Sequence, residues 1–103
     1  MKDLKTGGEQ MKETKVTLLG LYLKQEYLED KELFVKDVET TIREYMKRNG
    51  KKPVQMSMNY ATSAKVQEIM KIADGELVGV CGLEPAYSAV MRDDYVFVSD
   101  GSL

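Results

Sequence analysis

The residues best suited to bind a ligand lie in a turn between a strand pattern and a helix pattern. Ligands bind at such junctions in open α/β sheets, because free backbone N–H groups and the helix dipole attract anions there. Thr62, Ser63 and Lys65 could add hydroxyl and ammonium donors, and Asn59 and Tyr60 complete the candidate site. This turn contains no glycine, so it is neither a P-loop nor a dinucleotide fingerprint. Thr and Ser are also ordinary helix-capping residues.

Catalytic chemistry is restricted by the residues that the chain lacks. It has no histidine, which excludes a Cys–His pair, a Ser–His–acid triad and histidine-ligated zinc within one chain. Cys81 is the single cysteine, so no intrachain disulfide can form, and we interpret it as a small buried apolar residue. Asp93 and Asp94 could bind a divalent cation with Glu84 or Asp100, although polar turn residues are the simpler explanation. We predict no catalytic residue, no metal and no cofactor.

Composition indicates one soluble globular domain. The chain has 103 residues, of which 43% are hydrophobic and 31% are charged. A membrane span needs about 20 consecutive apolar residues, and none is present. A lone thiol is typical of a reducing compartment, so we expect a cytoplasmic protein. Residues 53–103 carry three basic and seven acidic groups, and this negative charge disfavours nucleic acid as the main partner.

The first residues are predicted to be a flexible tail. Residues 1–14 have little apolar content, so we place a single domain at 15–103. Gly7 and Gly8 stand shortly before Met11, and glycine codons can spell a purine-rich ribosome-binding site. Our hypothesis is that translation starts at Met11 and that the source is bacterial.

The first half of the domain is predicted to be a strand followed by a helix. Apolar residues occupy both alternating sets of residues 16–23, which is typical of a central strand buried on both faces. Residues 31–48 have an apolar stripe at helical spacing. Asp30 is the predicted N-cap of this helix, and Gly50 supplies its left-handed stop.

The middle third is predicted to be two parallel strands joined by a crossover helix. Residues 54–60 alternate as in a strand with one buried face, so this strand could lie at a sheet edge, or helices could cover only one side of the sheet. Thr62 or Ser63 is the predicted cap of the helix, which ends near Ala73, and residues 76–82 form the second strand. Met56, Met58 and Tyr60 share one face of the first strand and are candidate interface residues. Core filling is the alternative for the two methionines.

The C-terminal region allows two predictions. Residues 87–91 and 95–99 are read as a hairpin, whereas Pro85 could instead begin a short helix that ends at Arg92. The complete pattern predicts a small two-layer α/β (or α+β) sandwich. It has a mixed sheet of about four to five strands and two helices, in the order β-α-β-α-β-(β-β).

Three functions are compatible with this pattern. The first is a non-catalytic interaction or assembly module of the bacterial cytosol, which self-associates as a homo-oligomer. It is favoured by small size, by six tyrosines and seven methionines, and by an edge strand that could pair with another chain. The alternative is a small-anion or nucleotide sensor that uses the turn at 59–65. The third is an enzyme that uses Tyr, Lys or carboxylates as acid and base.

Overall fold

The computed structural model describes residues 18–71 and 80–101. These residues form four strands, two α-helices and one short 3₁₀ helix. In chain order the elements are β1 (Leu18–Tyr22), the 3₁₀ helix (Gln25–Leu28), α1 (Lys31–Asn49), β2 (Gln55–Met58), α2 (Tyr60–Met70), β3 (Glu84–Tyr87) and β4 (Tyr95–Ser99). The N-terminal tail at 1–14 and the hypothesis about Met11 lie outside the described residues.

The four strands form one mixed sheet in the order β1-β4-β2-β3. β4 is antiparallel to both of its neighbours, and β2 is parallel to β3. The connections β1-α1-β2 and β2-α2-β3 both proceed in the same direction across the sheet. Because such crossovers are right-handed, both helices lie on the same face. This is the small sandwich of a mixed sheet and two helices that the sequence predicts.

The core lies between that face and the helices. α1 contributes Phe34, Val38 and Tyr45, and α2 contributes Val66 and Ile69. The sheet contributes alternate residues of three strands, namely Leu19, Leu21, Met56, Met58, Val96 and Val98. This alternation places the remaining residues of each strand on the opposite face.

The predicted ends of α1 are confirmed. The Asp30 side chain accepts a hydrogen bond from the Leu33 N–H at 3.1 Å, and Gly50 ends the helix with φ of 76°. The 3₁₀ helix, which the sequence pattern did not indicate, buries Tyr27 completely. Its hydroxyl donates to Asp37 at 2.6 Å and so ties this short helix to α1.

The crossover from β2 is parallel, as predicted, but its second strand was wrongly placed. β2 pairs with Glu84–Tyr87. Most of the predicted strand 76–82 lies outside the described residues, and its last residues form a turn in which Val80 bridges to Leu83. Pro85 is tolerated in β3 because the N–H groups of Glu84 and Ser88, on either side of it, are the ones that donate to β2.

The predicted hairpin of residues 87–91 with 95–99 is wrong, and so is the alternative helix from Pro85. β3 ends at Tyr87, and the chain then turns, with the Met91 N–H donating to the Ser88 carbonyl at 3.1 Å. β4 pairs with β1 and β2 instead of β3. The connection therefore passes over β2 and inserts β4 between two strands that precede it in the chain.

The predicted central position of β1 is wrong, because β1 is an outer strand. For β2 the sequence allowed either an edge position or a sheet covered by helices on one side only. The second alternative is correct, since β2 lies between β4 and β3. Tyr22 at the end of β1 is 52% exposed, which is incompatible with burial on both faces.

No helix in the described part of the chain is long and apolar enough to cross a membrane.

Candidate functional site

The turn that follows β2 is organised by Asn59. Its Oδ1 accepts a hydrogen bond from the Thr62 N–H at 2.8 Å, so Asn59 is the N-cap of α2. The predicted cap of this helix at Thr62 or Ser63 is therefore wrong by three or four residues. Asparagine at the end of a strand can cap the next helix directly, because its side chain reaches the N–H three residues ahead. α2 ends at Met70, before the predicted Ala73, because Lys71 takes a left-handed conformation with φ of 57°.

The loop before β4 lies on this turn and binds its polar groups. The Asn59 Nδ2 donates to the Met91 carbonyl at 3.0 Å and to Asp93 Oδ1 at 2.6 Å. The Thr62 hydroxyl accepts from the Asp94 N–H at 2.9 Å. Lys65 forms an ion pair with Asp94. The hydrogen bond that the Lys65 ammonium donates to this carboxylate raises the pKa of Lys65.

This network brings together most of the residues that were predicted to bind an anion. Asn59, Thr62 and Lys65 contact the loop, and the Ser63 hydroxyl donates to the Tyr60 carbonyl within the helix at 2.7 Å. Two carboxylates of the same chain, Asp93 and Asp94, therefore stand where the anion was expected. Their negative charge disfavours a second anion at this helix end. The anion or nucleotide site stays a prediction that no bound molecule tests.

The three predicted interface residues lie in different environments. Met56 and Met58 are buried beneath the helices, where they fill the core. Tyr60 is 70% exposed, and its ring stacks on Tyr87 with centroids 5.0 Å apart. Of these three residues only Tyr60 is placed to touch a partner directly.

The interpretation of Cys81 as a buried residue is wrong. Cys81 is exposed and occupies the turn before β3 with φ of 54°. Its Sγ lies 3.9 Å from the Val35 carbonyl of α1. Partial burial of the thiol raises the Cys81 pKa above its ordinary value, and the negative charge of Glu39 makes a smaller contribution in the same direction. A raised pKa keeps the sulfur in its less nucleophilic thiol form.

Residues 18–71 and 80–101 contain no group of three or more Cys, Asp or Glu that could hold a metal ion. The Asp93 side chain accepts from Asn59, and Asp94 pairs with Lys65. Both acids of the proposed cation pair are thus bound to residues of their own chain.

A second candidate site is the sheet face opposite the helices, which we call the open face. No described helix packs on it. Its residues alternate with the core positions of β1, β2 and β4, and they are Leu18, Gly20, Tyr22, Gln55, Ser57, Tyr95, Phe97 and Ser99. Of these, Ser57 and Ser99 are buried. The prediction of helices on one side of the sheet implied such a face, but the strand order that brings these residues together was not predicted.

Aromatic rings form a row across the open face. Tyr22 and Tyr95 meet edge to face at 5.5 Å, and Tyr95 and Phe97 stack at 5.8 Å. The Arg92 guanidinium lies 4.9 Å from the centre of the Tyr95 ring. Gly20 faces Phe97, and a Cβ atom at Gly20 would lie only 2.8 Å from that ring. The glycine thus lets the aromatic ring lie flat against β1.

A shallow groove runs beside this aromatic row. It has a volume of about 510 Å³ and is lined by residues of β1, β2, β3 and the following turn, among them Leu18, Ser57, Ala86 and Val90. Val90 is 87% exposed. The charged side chains that flank this surface are Arg92 at the aromatic row and Glu84 on β3, which shares the register of Gln55. The other described residues of the open face are uncharged.

Comparison with protein-family models, with curated proteins and with solved structures found no match.

Proposed function

We propose that this protein is a small non-catalytic assembly module that self-associates through the open face of its sheet. The observation that carries the proposal is the placement of both helices on one side, which leaves an aromatic, almost uncharged surface on the other. Apolar patches of this kind are typical of surfaces that bind another protein. Tyrosine, phenylalanine and arginine are also the residue types enriched in such interfaces.

A second copy of the chain is the occupant that the charges favour. The chain carries a formal net charge of −2, so random contacts between copies are mildly repulsive. The open face avoids this repulsion, since one positive group, Arg92 in the loop before β4, and one negative group, Glu84 on β3, flank it. A twofold axis between two open faces can bring Arg92 of each copy towards Glu84 of the other. Such self-complementarity is what a symmetric dimer requires.

Light scattering coupled to size-exclusion chromatography tests the proposal. We expect the protein at micromolar concentration to have a mass of at least two copies of the 11.7 kDa chain. Ala86→Lys places a charge in the groove of the open face and is expected to lower this mass. Ala64→Lys is the matched control, because it makes the same change on the exposed side of α2. Thermal unfolding of both variants checks that the fold is retained.

Charge reversal tests the twofold arrangement separately. Arg92→Glu and Glu84→Arg should each weaken association, because each places like charges together. The double variant should restore it. A strictly monomeric wild-type protein would contradict the proposed function. Association that is equally insensitive to Ala86→Lys and to the charge reversals would show that the open face is not the contact.

A further inference from the structure

The two outer strands of the sheet differ in how well they could accept another strand. β3 is blocked on its free side. The N–H groups of Glu84 and Ser88 donate to β2, so the intervening Pro85 and Tyr87 direct their backbone outwards. Pro85 has no N–H to offer, and an adjacent charged Glu84 adds to the protection. Proline and charge are the usual devices that keep sheet edges from pairing.

β1 has neither device. Its sequence Leu-Leu-Gly-Leu-Tyr contains no charge and no proline. The Leu23 N–H donates to the Asp94 carbonyl at 2.8 Å, one step beyond the Tyr22–Tyr95 pair. Because antiparallel hydrogen bonding alternates along a strand, Leu19 and Leu21 direct their backbone to β4. Leu18, Gly20 and Tyr22 then direct theirs to the free edge, where no described strand pairs with them.

The outward groups of β1 are self-complementary. If two copies of β1 run antiparallel about an axis at Gly20, Gly20 faces Gly20 of the second copy and Leu18 faces its Tyr22. These are the residues whose N–H and C=O groups point outwards, so all of them find partners in this register. On the helix side, Leu19 faces Leu21 of the second copy, which joins apolar residues of two cores. No like charges are brought together.

We infer that a second copy of this chain pairs with β1 through its own β1, in antiparallel register centred on Gly20. This inference rests on the proposed self-association and specifies a contact separate from the open face. The twofold axis of the edge contact is perpendicular to the sheet, so two sheets of four strands become one of eight. The open faces of both copies then lie side by side and remain free. Edge and face contacts together would give a tetramer with two perpendicular twofold axes.

Cysteine cross-linking tests the register in the full chain with Cys81→Ser as background. Leu18→Cys and Tyr22→Cys in one chain should form a disulfide-linked dimer under mild oxidation, because residues directly opposite in a hydrogen-bonded pair have Cα atoms about 5.5 Å apart. Within one strand these positions are about 13 Å apart and cannot be bridged. Each single variant is the matched control, since its thiol would face a residue other than cysteine.

A dimer that forms in the double variant and not in the singles is the expected result. No dimer in the double variant, or equal dimer in the singles, would overturn the inferred register. Tyr22→Pro and Tyr22→Ala provide a second measurement that needs no cross-link. Both remove the ring from the open face, but only proline removes the outward N–H. We expect Tyr22→Pro to have a lower assembly mass than Tyr22→Ala, and equal masses would also overturn the inference.

These results separate the edge contact from the proposed function. If Ala86→Lys lowers the mass but neither edge measurement responds, self-association through the open face stands and the edge contact is refuted. If the cross-link forms and Ala86→Lys has no effect, the edge is the contact and the face is not. A wild-type protein that is monomeric at every concentration refutes both.

Discussion

Replacing Asn59 should destabilise the protein far more than a surface polar residue would. Asn59→Ala removes the acceptor for the Thr62 N–H, and loss of an N-cap costs about 1 kcal/mol. It also leaves the part-buried Met91 carbonyl without its donor, and a polar group left unpaired away from water costs up to about 1–3 kcal/mol. Together these losses predict a decrease of about 2–4 kcal/mol in the free energy of unfolding. A small domain has only about 5–15 kcal/mol in total, so the effect is easily measured.

Urea unfolding followed by circular dichroism measures this change. An exchange of the side chains of Asn59 and Asp93 tests their contact directly. Asn59→Asp keeps an acceptor for the Thr62 N–H but sets a carboxylate against Asp93, so we expect it to destabilise as well. Combining Asn59→Asp with Asp93→Asn restores one donor and one acceptor between the two side chains. This double variant should recover most of the stability that Asn59→Asp loses. The coupling between the two changes is the double-mutant interaction energy.

Two results would refute the role assigned to this network. One is a loss below about 1 kcal/mol for Asn59→Ala, which is within the range of an ordinary cap alone. The other is additivity of Asn59→Asp and Asp93→Asn, because residues in direct contact should couple. Either result would mean that the loop before β4 is not held on α2 by Asn59. The turn would then be open to an external anion, as the sequence first suggested.

Three further outcomes are expected. Gly20→Ala should lower the free energy of unfolding by about 1–3 kcal/mol, because the new Cβ atom contacts Phe97. Thermal unfolding of the double variant Gly20→Ala/Phe97→Leu should show a smaller loss in stability than the sum of the losses of the two single variants. Tyr27→Phe should cost about 1–2 kcal/mol at neutral pH because Asp37 loses its donor. Burial and then the Asp37 hydrogen bond raise the Tyr27 pKa above its ordinary value near 10. The folded chain thus keeps a proton that the unfolded chain loses above pH 10, so wild-type stability should fall more steeply there than that of Tyr27→Phe. Cys81 should react with a thiol reagent in the folded protein, since it is exposed, but more slowly at neutral pH than a cysteine in an unstructured peptide, because its pKa is raised.

The sequence predicted the parts of the fold that depend on local signals. α1 follows from its apolar spacing, from Asp30 at its start and from Gly50 at its end. The parallel crossover around α2 follows from the order of strand and helix patterns. Strand order depends on pairing between distant residues, which no local pattern encodes. β1 looked central because both of its faces are apolar, yet one of these faces belongs to the open side of the sheet.

Pro85 shows how a correct local rule can mislead. Proline removes a backbone donor, so it usually marks the end of a strand. In β3 an N–H group at Pro85 would point away from β2, so its absence removes no hydrogen bond of the sheet. The hairpin prediction failed for a related reason. Neighbouring strands in sequence often pair in space, but β4 pairs with β1 and β2 instead of β3.

The insertion of β4 also determines where this protein can bind something. In open α/β sheets a ligand site forms where adjacent strands have helices leading away in opposite directions. Here both helices lie on one face, so no such crevice arises from the strand order. The loop that leads into β4 then binds the amino end of α2 through Asn59 and Thr62. Its own carboxylates complement the helix dipole, which is the interaction that an external anion would have made. The arrangement that closes this end of the sheet leaves the aromatic face and the β1 edge uncovered by described residues, and both of these surfaces are suited to another copy of the chain.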